Sequence, residues 1–93
     1  MDKRYKSFTN KKFWDLYDQL PDNEQRLADK SYKLFSENPS HNSLHFKKVG
    51  KTQPVYSVRI TDKYRSLGYI LGDGIYWFWI GNHRDYELLL KTI

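Results

Sequence analysis

From Val55 to Tyr86 the chain reads VYSVRI, a Thr61-Asp62-Lys63 turn, YRSLGYIL, a Gly72-Asp73-Gly74 turn, IYWFWI and then GNHRDY. No other stretch limits the fold as strongly. Three runs rich in β-branched and aromatic residues, separated by short turn signals, predict an antiparallel meander. Alternation sets Tyr56, Val58 and Ile60 on one face of the first run and Ser57 and Arg59 on the other. In the second run Arg65, Leu67 and Tyr69 share a face, opposite Ser66, Gly68 and Ile70. Ile75 to Ile80 is apolar on both sides, as a central strand is. Facing residues on adjacent antiparallel strands lie about 5 Å apart, so Arg59 and Arg65 are expected at one cleft. His83 and Tyr86 follow directly on the third run. One sheet edge thus gathers two guanidiniums, an imidazole and a phenol, a set suited to work on a phosphodiester.

What precedes the meander reads as its support. Arg4 to Phe8 alternates as a short first strand. Thr9 or Asn10 then caps a helix, because either side chain accepts from an unpaired N–H of the first turn. Phe13, Trp14, Tyr17 and Leu20 form its apolar face, and Lys11, Lys12, Asp15 and Asp18 take the other side. Leu20-Pro21-Asp22-Asn23 ends that helix and starts a second, with Asp22 or Asn23 as cap. Leu27, Ala28, Ser31, Leu34 and Phe35 give its buried stripe, and Asn38-Pro39 stops it near Ser36. Two helices joined by a tight turn make an αα-hairpin that covers one face of the sheet. Leu44 to Val49 (LHFKKV) is a further strand, with Leu44, Phe46 and Lys48 on one face and His45, Lys47 and Val49 on the other. Leu88, Leu89 and Leu90 form a short closing helix. The fold class is α+β: two N-terminal helices on an antiparallel sheet of about four strands, with a short C-terminal helix.

A chain of 93 residues is expected to be one domain, 1–93, with one core. Eight Tyr, five Phe and three Trp let so short a chain bury enough area, which argues against disorder. The absence of cysteine removes disulfides and thiolate chemistry and fits a reducing compartment. With no signal-type apolar run and no membrane-length segment, a cytoplasmic, non-membrane protein is expected. Sixteen Lys plus Arg against eleven Asp plus Glu give a net charge of +5, which favours an anionic partner such as nucleic acid or an acidic protein. Lys47, Lys48 and Lys51 on a basic hairpin, with Arg84 beyond the last strand, are the candidate nucleic-acid contacts; a solvated turn is the competing reading. His41 and His45 are spaced like metal ligands, but not on one helix face, so neither a metal nor a cofactor is expected. The glycine turns do not fit a phosphate-binding loop.

In order and spacing, LPDNEQRLADKSYKLFSENP, LHFKKV, YSVRI, KYRSLGYI and WFWIGNH with the tyrosine just after it resemble the RelE/ParE superfamily of bacterial toxins from type II toxin–antitoxin systems. The resemblance covers nearly the whole chain. It implies a toxin with an antitoxin partner that offers an acidic segment. One branch cleaves mRNA on the ribosome; the ParE-like branch inhibits DNA gyrase without being a nuclease. A degenerate toxin that only binds a partner is the third possibility.

Carried over from the nuclease branch, two strand lysines fall on Ser57 and Arg59, a strand arginine on Arg65, a later arginine on His83 and a tyrosine on Tyr86. Ser57 departs from the pattern, and the spacer before Tyr86 is shorter. Cleavage by transesterification needs a base for the 2′-hydroxyl, cations for the phosphorane and an acid for the leaving oxygen. His83 suits proton transfer near neutral pH, while Arg59 and Arg65 suit phosphate oxygens. Tyr86 suits stacking on a base or orienting His83. The plainer readings are a loop histidine bonded to a carbonyl, ion pairs of the arginines with Asp62 or Asp85, and a core Tyr86.

Overall fold

A computed structural model describes residues 4–93. Along the chain run β1 (Lys6–Thr9), α1 (Lys11–Asp18), α2 (Asp22–Glu37), a 3-10 turn (Asn42–Leu44), β2 (Lys47–Lys48), β3 (Val55–Arg59), β4 (Tyr64–Leu71), β5 (Gly74–Asn82) and α3 (His83–Leu90). Asn10 caps α1: its side chain accepts from the Phe13 N–H at 2.8 Å. The cap expected for α2 is not made. Pro21 occupies that position, and Asp22 and Glu24 in the first turn offset its unpaired N–H groups by charge instead. The hairpin of α1 and α2 is locked by the Gln25 side chain donating to the Tyr17 carbonyl at 3.1 Å. The Tyr17 hydroxyl in turn donates to Asp29 at 2.8 Å.

The sheet runs β1-β5-β4-β3-β2. β2 through β5 are antiparallel neighbours, as the meander predicts, but β1 pairs with β5 in parallel. The sheet is therefore mixed and has five strands. Alternation in Arg4 to Phe8 announces a strand and carries no information about its partner or direction. The partner is chosen by contacts made across the fold: Phe8 stacks on Tyr76 with ring centroids 4.7 Å apart, and Lys6 N–H donates to the Asp73 carbonyl at 2.9 Å. Between β4 and β5, Gly72 takes a φ of 62°, a left-handed value that a side chain would strain.

LHFKKV is a strand only at Lys47–Lys48. Leu44 is drawn into the core by the 3-10 turn, and His45 then takes a left-handed φ of 44° before the chain enters the sheet.

Both sheet faces are covered, which is why β5 is apolar on both sides. Under α1 and α2 lies a cluster built on Phe13, Leu20, Ala28, Phe35, Val58, Ile75, Trp77 and Ile80. On the opposite face Val55, Leu67 and Tyr86 are buried with Phe78, Trp79, Leu89 and Leu90 packed round them. Of the stripe expected on α2, Ala28 and Phe35 are buried, whereas Leu27 is exposed. Among the described residues no helix is long and apolar enough to cross a membrane.

Candidate functional site

The α3 face of the sheet becomes polar at one end. Lys47 pairs with Ser57 and Ser57 with Leu67; two residues further along, Arg59 pairs with Arg65 and Arg65 with Gly81. Strand alternation turns Ser57, Arg59 and Arg65 toward α3. Only hydrogen fits at Gly81, because an added Cβ would lie 2.6 Å from the Trp79 ring. The result is a cleft of about 170 Å³ lined by His45, Lys47, Ser57, Arg59, Arg65, His83, Tyr86 and Glu87, with Val49 and Leu90 at its apolar side.

His83 is not in a loop. It opens α3, whose cap is Asn82, accepting from the Asp85 N–H at 2.8 Å. The His83 N–H donates to the Lys63 carbonyl at 2.7 Å, so the start of α3 is tied to the β3–β4 turn. Its ring is half-exposed and its Nε2 lies 3.2 Å from Glu87 Oε1, one helical turn on. Among the described residues Nδ1 has no hydrogen-bond partner.

Arg65 donates through Nη1 to the Thr61 and Tyr64 carbonyls, the latter at 3.0 Å. Both bonds use one nitrogen, and among the described residues Nη2 and Nε have no hydrogen-bond partner. Its Cζ lies 5.8 Å from the centre of the Tyr86 ring. Arg59 pairs with Asp62. That hydrogen bond, and the guanidinium charge with it, holds the Asp62 carboxyl below the usual carboxylate range. The expected alternative partner, Asp85, takes no part in this pair.

Tyr86 is at once a core aromatic and a cleft wall. It is 5% exposed, and its hydroxyl donates to Ser57 Oγ at 3.1 Å, Ser57 being 1% exposed. Ser57, where the resemblance calls for a lysine, is thus the anchor of Tyr86. The rings of His83 and Tyr86 are 5.8 Å apart.

Of the residues singled out in the sequence, His83, Arg65, Arg59, Tyr86 and Lys47 meet in this cleft. Lys48, Lys51 and Arg84 are exposed but outside its lining. Lys48 alternates with Lys47 and so points to the other face; Lys51 lies in the β2–β3 loop. Sequence reasoning missed three contributors: Ser57 as anchor, Glu87 and His45. The i, i+4 spacing of His83 and Glu87 signals the second once α3 begins at His83. Alternation through Lys47 is the signal for His45.

Residues 23–88 match the family model described as ParE-like toxin domain. The chain belongs to that family. No curated protein matches it in sequence. Its fold is similar to the archaeal RelE–RelB complex from Pyrococcus horikoshii OT3, at 17% identity and a TM-score of 0.67, over 84% of this chain and 93% of that one. The RelB–RelE antitoxin–toxin complex from Methanococcus jannaschii gives 17% identity and 0.71, over 88% and 96%. The isolated E. coli RelE toxin gives 12% and 0.63, over 96% and 99%. The α+β architecture is therefore that of the RelE/ParE toxins, with five strands.

Proposed function

We propose that this chain is the toxin of a toxin–antitoxin pair and a ribosome-dependent mRNA endoribonuclease that works by metal-independent transesterification. The carrying observation is that Arg59, Arg65, His83 and Tyr86 line one cleft. Arg59 and Arg65 clamp the phosphate and stabilise the phosphorane, supplying the positive charge that the reaction needs. His83 moves protons, with Glu87 fixing its ring, and Tyr86 stacks beside it. Lys47 adds sequence-independent attraction to the RNA backbone, and Lys48, Lys51 and Arg84 extend it over the ribosome-facing surface. Such a toxin acts in the cytoplasm, where ribosomes are. Its antitoxin covers the cleft with an acidic segment, a reading supported by the net +5 charge and by the RelE–RelB pairs among its structural neighbours.

Primer extension on translated mRNA tests this. Wild type is expected to produce discrete new 5′ ends, and His83→Gln to lower the rate by about 10²–10⁴-fold with the fold intact. Arg65→Ala does comparable damage by removing countercharge. Equal cleavage by wild type and His83→Gln removes His83 from the chemistry. The description of the matching family, ParE-like, favours a second reading: inhibition of DNA gyrase. Wild type that leaves every message intact but blocks DNA supercoiling by gyrase establishes that reading instead.

A further inference from the structure

The cleft holds a second imidazole. His45 lies two residues before Lys47, which pairs with Ser57, and it lines the cleft together with Arg59 and Arg65, which pair with each other. Arg59 and Arg65 form a row across the sheet that ends at Gly81, two residues before His83. Adjacent strands are about 4.8 Å apart, so β2 and β5 are separated by three such steps. The two histidines approach one small cleft from its opposite ends, with both guanidiniums between them, and both are among its lining residues.

His45 is also held in an unusual way. It closes the 3-10 turn with φ 44° and ψ 42°, donating its N–H to the Asn42 carbonyl at 3.3 Å. Histidine is one of the few residues that enter this left-handed region with some frequency, and non-glycine residues held there cluster at functional sites. Apart from glycine, no other described residue has a positive φ. Its side chain remains exposed and lines the cleft together with Arg59, the partner of Asp62. His41, four residues earlier, is committed elsewhere: its Nδ1 accepts from the Ser43 N–H at 3.2 Å.

We infer that His45 is a second catalytic residue of this cleft, the general acid that protonates the leaving 5′-oxygen while His83 acts as the general base. The inference rests on the nuclease reading and divides its proton chemistry between two groups. In-line displacement puts the attacking and leaving oxygens on opposite sides of the phosphorus, so the base and the acid must also approach from opposite sides. One imidazole cannot serve both in the same step. His83 Nε2 lies 3.2 Å from Glu87 Oε1, and a neutral ring with its proton on Nε2 would present Nδ1 as acceptor, as a base backed by a carboxylate does. The 2′-oxygen bonds to phosphorus as the bond from phosphorus to the 5′-oxygen breaks. The 2′-hydroxyl proton passes to His83, and His45 gives its proton to the 5′-oxygen. The products are a 2′,3′-cyclic phosphate and a 5′-hydroxyl, and exchange with water resets both rings.

The test compares two synthetic mRNAs on translating ribosomes, identical except that one carries sulfur in place of the bridging 5′-oxygen at the cleaved linkage. Sulfur leaves as a thiolate and needs no proton. His45→Asn keeps a residue that tolerates the left-handed backbone and removes the titrating ring; His45→Gly does the same by relaxing the backbone. Both should lose about 10²–10⁴-fold on the oxygen substrate and recover most of it on the sulfur substrate. His83→Gln should lose on both. Circular dichroism melting confirms that each variant is folded. Wild-type rates for His45→Asn on the oxygen substrate, or an equal loss on both substrates, overturn the assignment of His45 alone. Wild type that cleaves neither substrate overturns the nuclease reading, and the role of His45 with it.

Discussion

The two faces of one sheet have opposite chemistry here. Against the first, α1 and α2 lay eight and sixteen helical residues, and the contact is dominated by aromatic rings. Phe35, 1% exposed, lies within 6.0 Å of the rings of Tyr5, Phe46 and Trp77. Against the second, α3 brings only eight residues. Val55, Leu67 and Tyr86 fill the part it covers, and beyond its start the strands carry Ser57, Arg59 and Arg65 into an open cleft. A small domain must cover one face of its sheet to be stable. Once that is done, the other face is free to stop short and expose charge. The difference teaches that stability and chemistry are assigned to different sides of the same strands, with Tyr86 as the side chain that belongs to both.

The comparison is broken most forcefully at Phe35. Phe35→Ala should destabilise by about 3–5 kcal/mol, the range for removing a buried aromatic, and abolish toxicity through unfolding. Urea unfolding measures it; a loss like that of a surface substitution would mean that the helix-covered face does not carry the stability. Tyr86→Phe sharpens the comparison. It removes the hydroxyl that bonds Ser57 and leaves a buried Ser57 Oγ unpaired, which should cost about 1 kcal/mol. Adding Ser57→Ala should recover part of that loss in a double-mutant cycle, because no unpaired group then remains. A cycle with no coupling would show that Tyr86 is held by packing alone.

The smallest effect lies on the helix hairpin. Tyr17 has its phenol pushed up to about 12, first by burial and then by the hydrogen bond and charge of Asp29. A raised folded-state value favours the neutral phenol in the fold. Its contribution is complete below the ordinary value of 10.0 and is lost as pH rises through about 12. Tyr17→Phe should therefore flatten the fall in stability across that window and remove a phenol that ionises near 12 from an absorbance titration. An unchanged titration curve would remove Tyr17 from the alkaline limb.

Much of this was legible in the residues, because the signals are local. Period two in YSVRI and YRSLGYI determines which side chains share a face, and that alone sets Arg59 and Arg65 together. Thr9-Asn10 announces α1, with Asn10 the cap the structure uses, and Asn38-Pro39 announces the end of α2, since caps and prolines act through their immediate neighbours. The resemblance extended this to His83 and Tyr86. What the sequence could not decide depends on partners distant along the chain. β1 looks like any short strand, and its parallel place beside β5 follows from Phe8 meeting Tyr76, nearly seventy residues on. Ser57 is a departure from the lysine of the resemblance, and only the fold sets its hydroxyl under Tyr86; His83 follows the last strand, and only the Asn82 cap makes it the first residue of α3. His45 lay in a stretch whose alternation was visible. That it lines one cleft with Arg59 is decided by the tertiary structure, in which the 3-10 turn buries Leu44 and His45 takes a left-handed backbone before the chain enters β2.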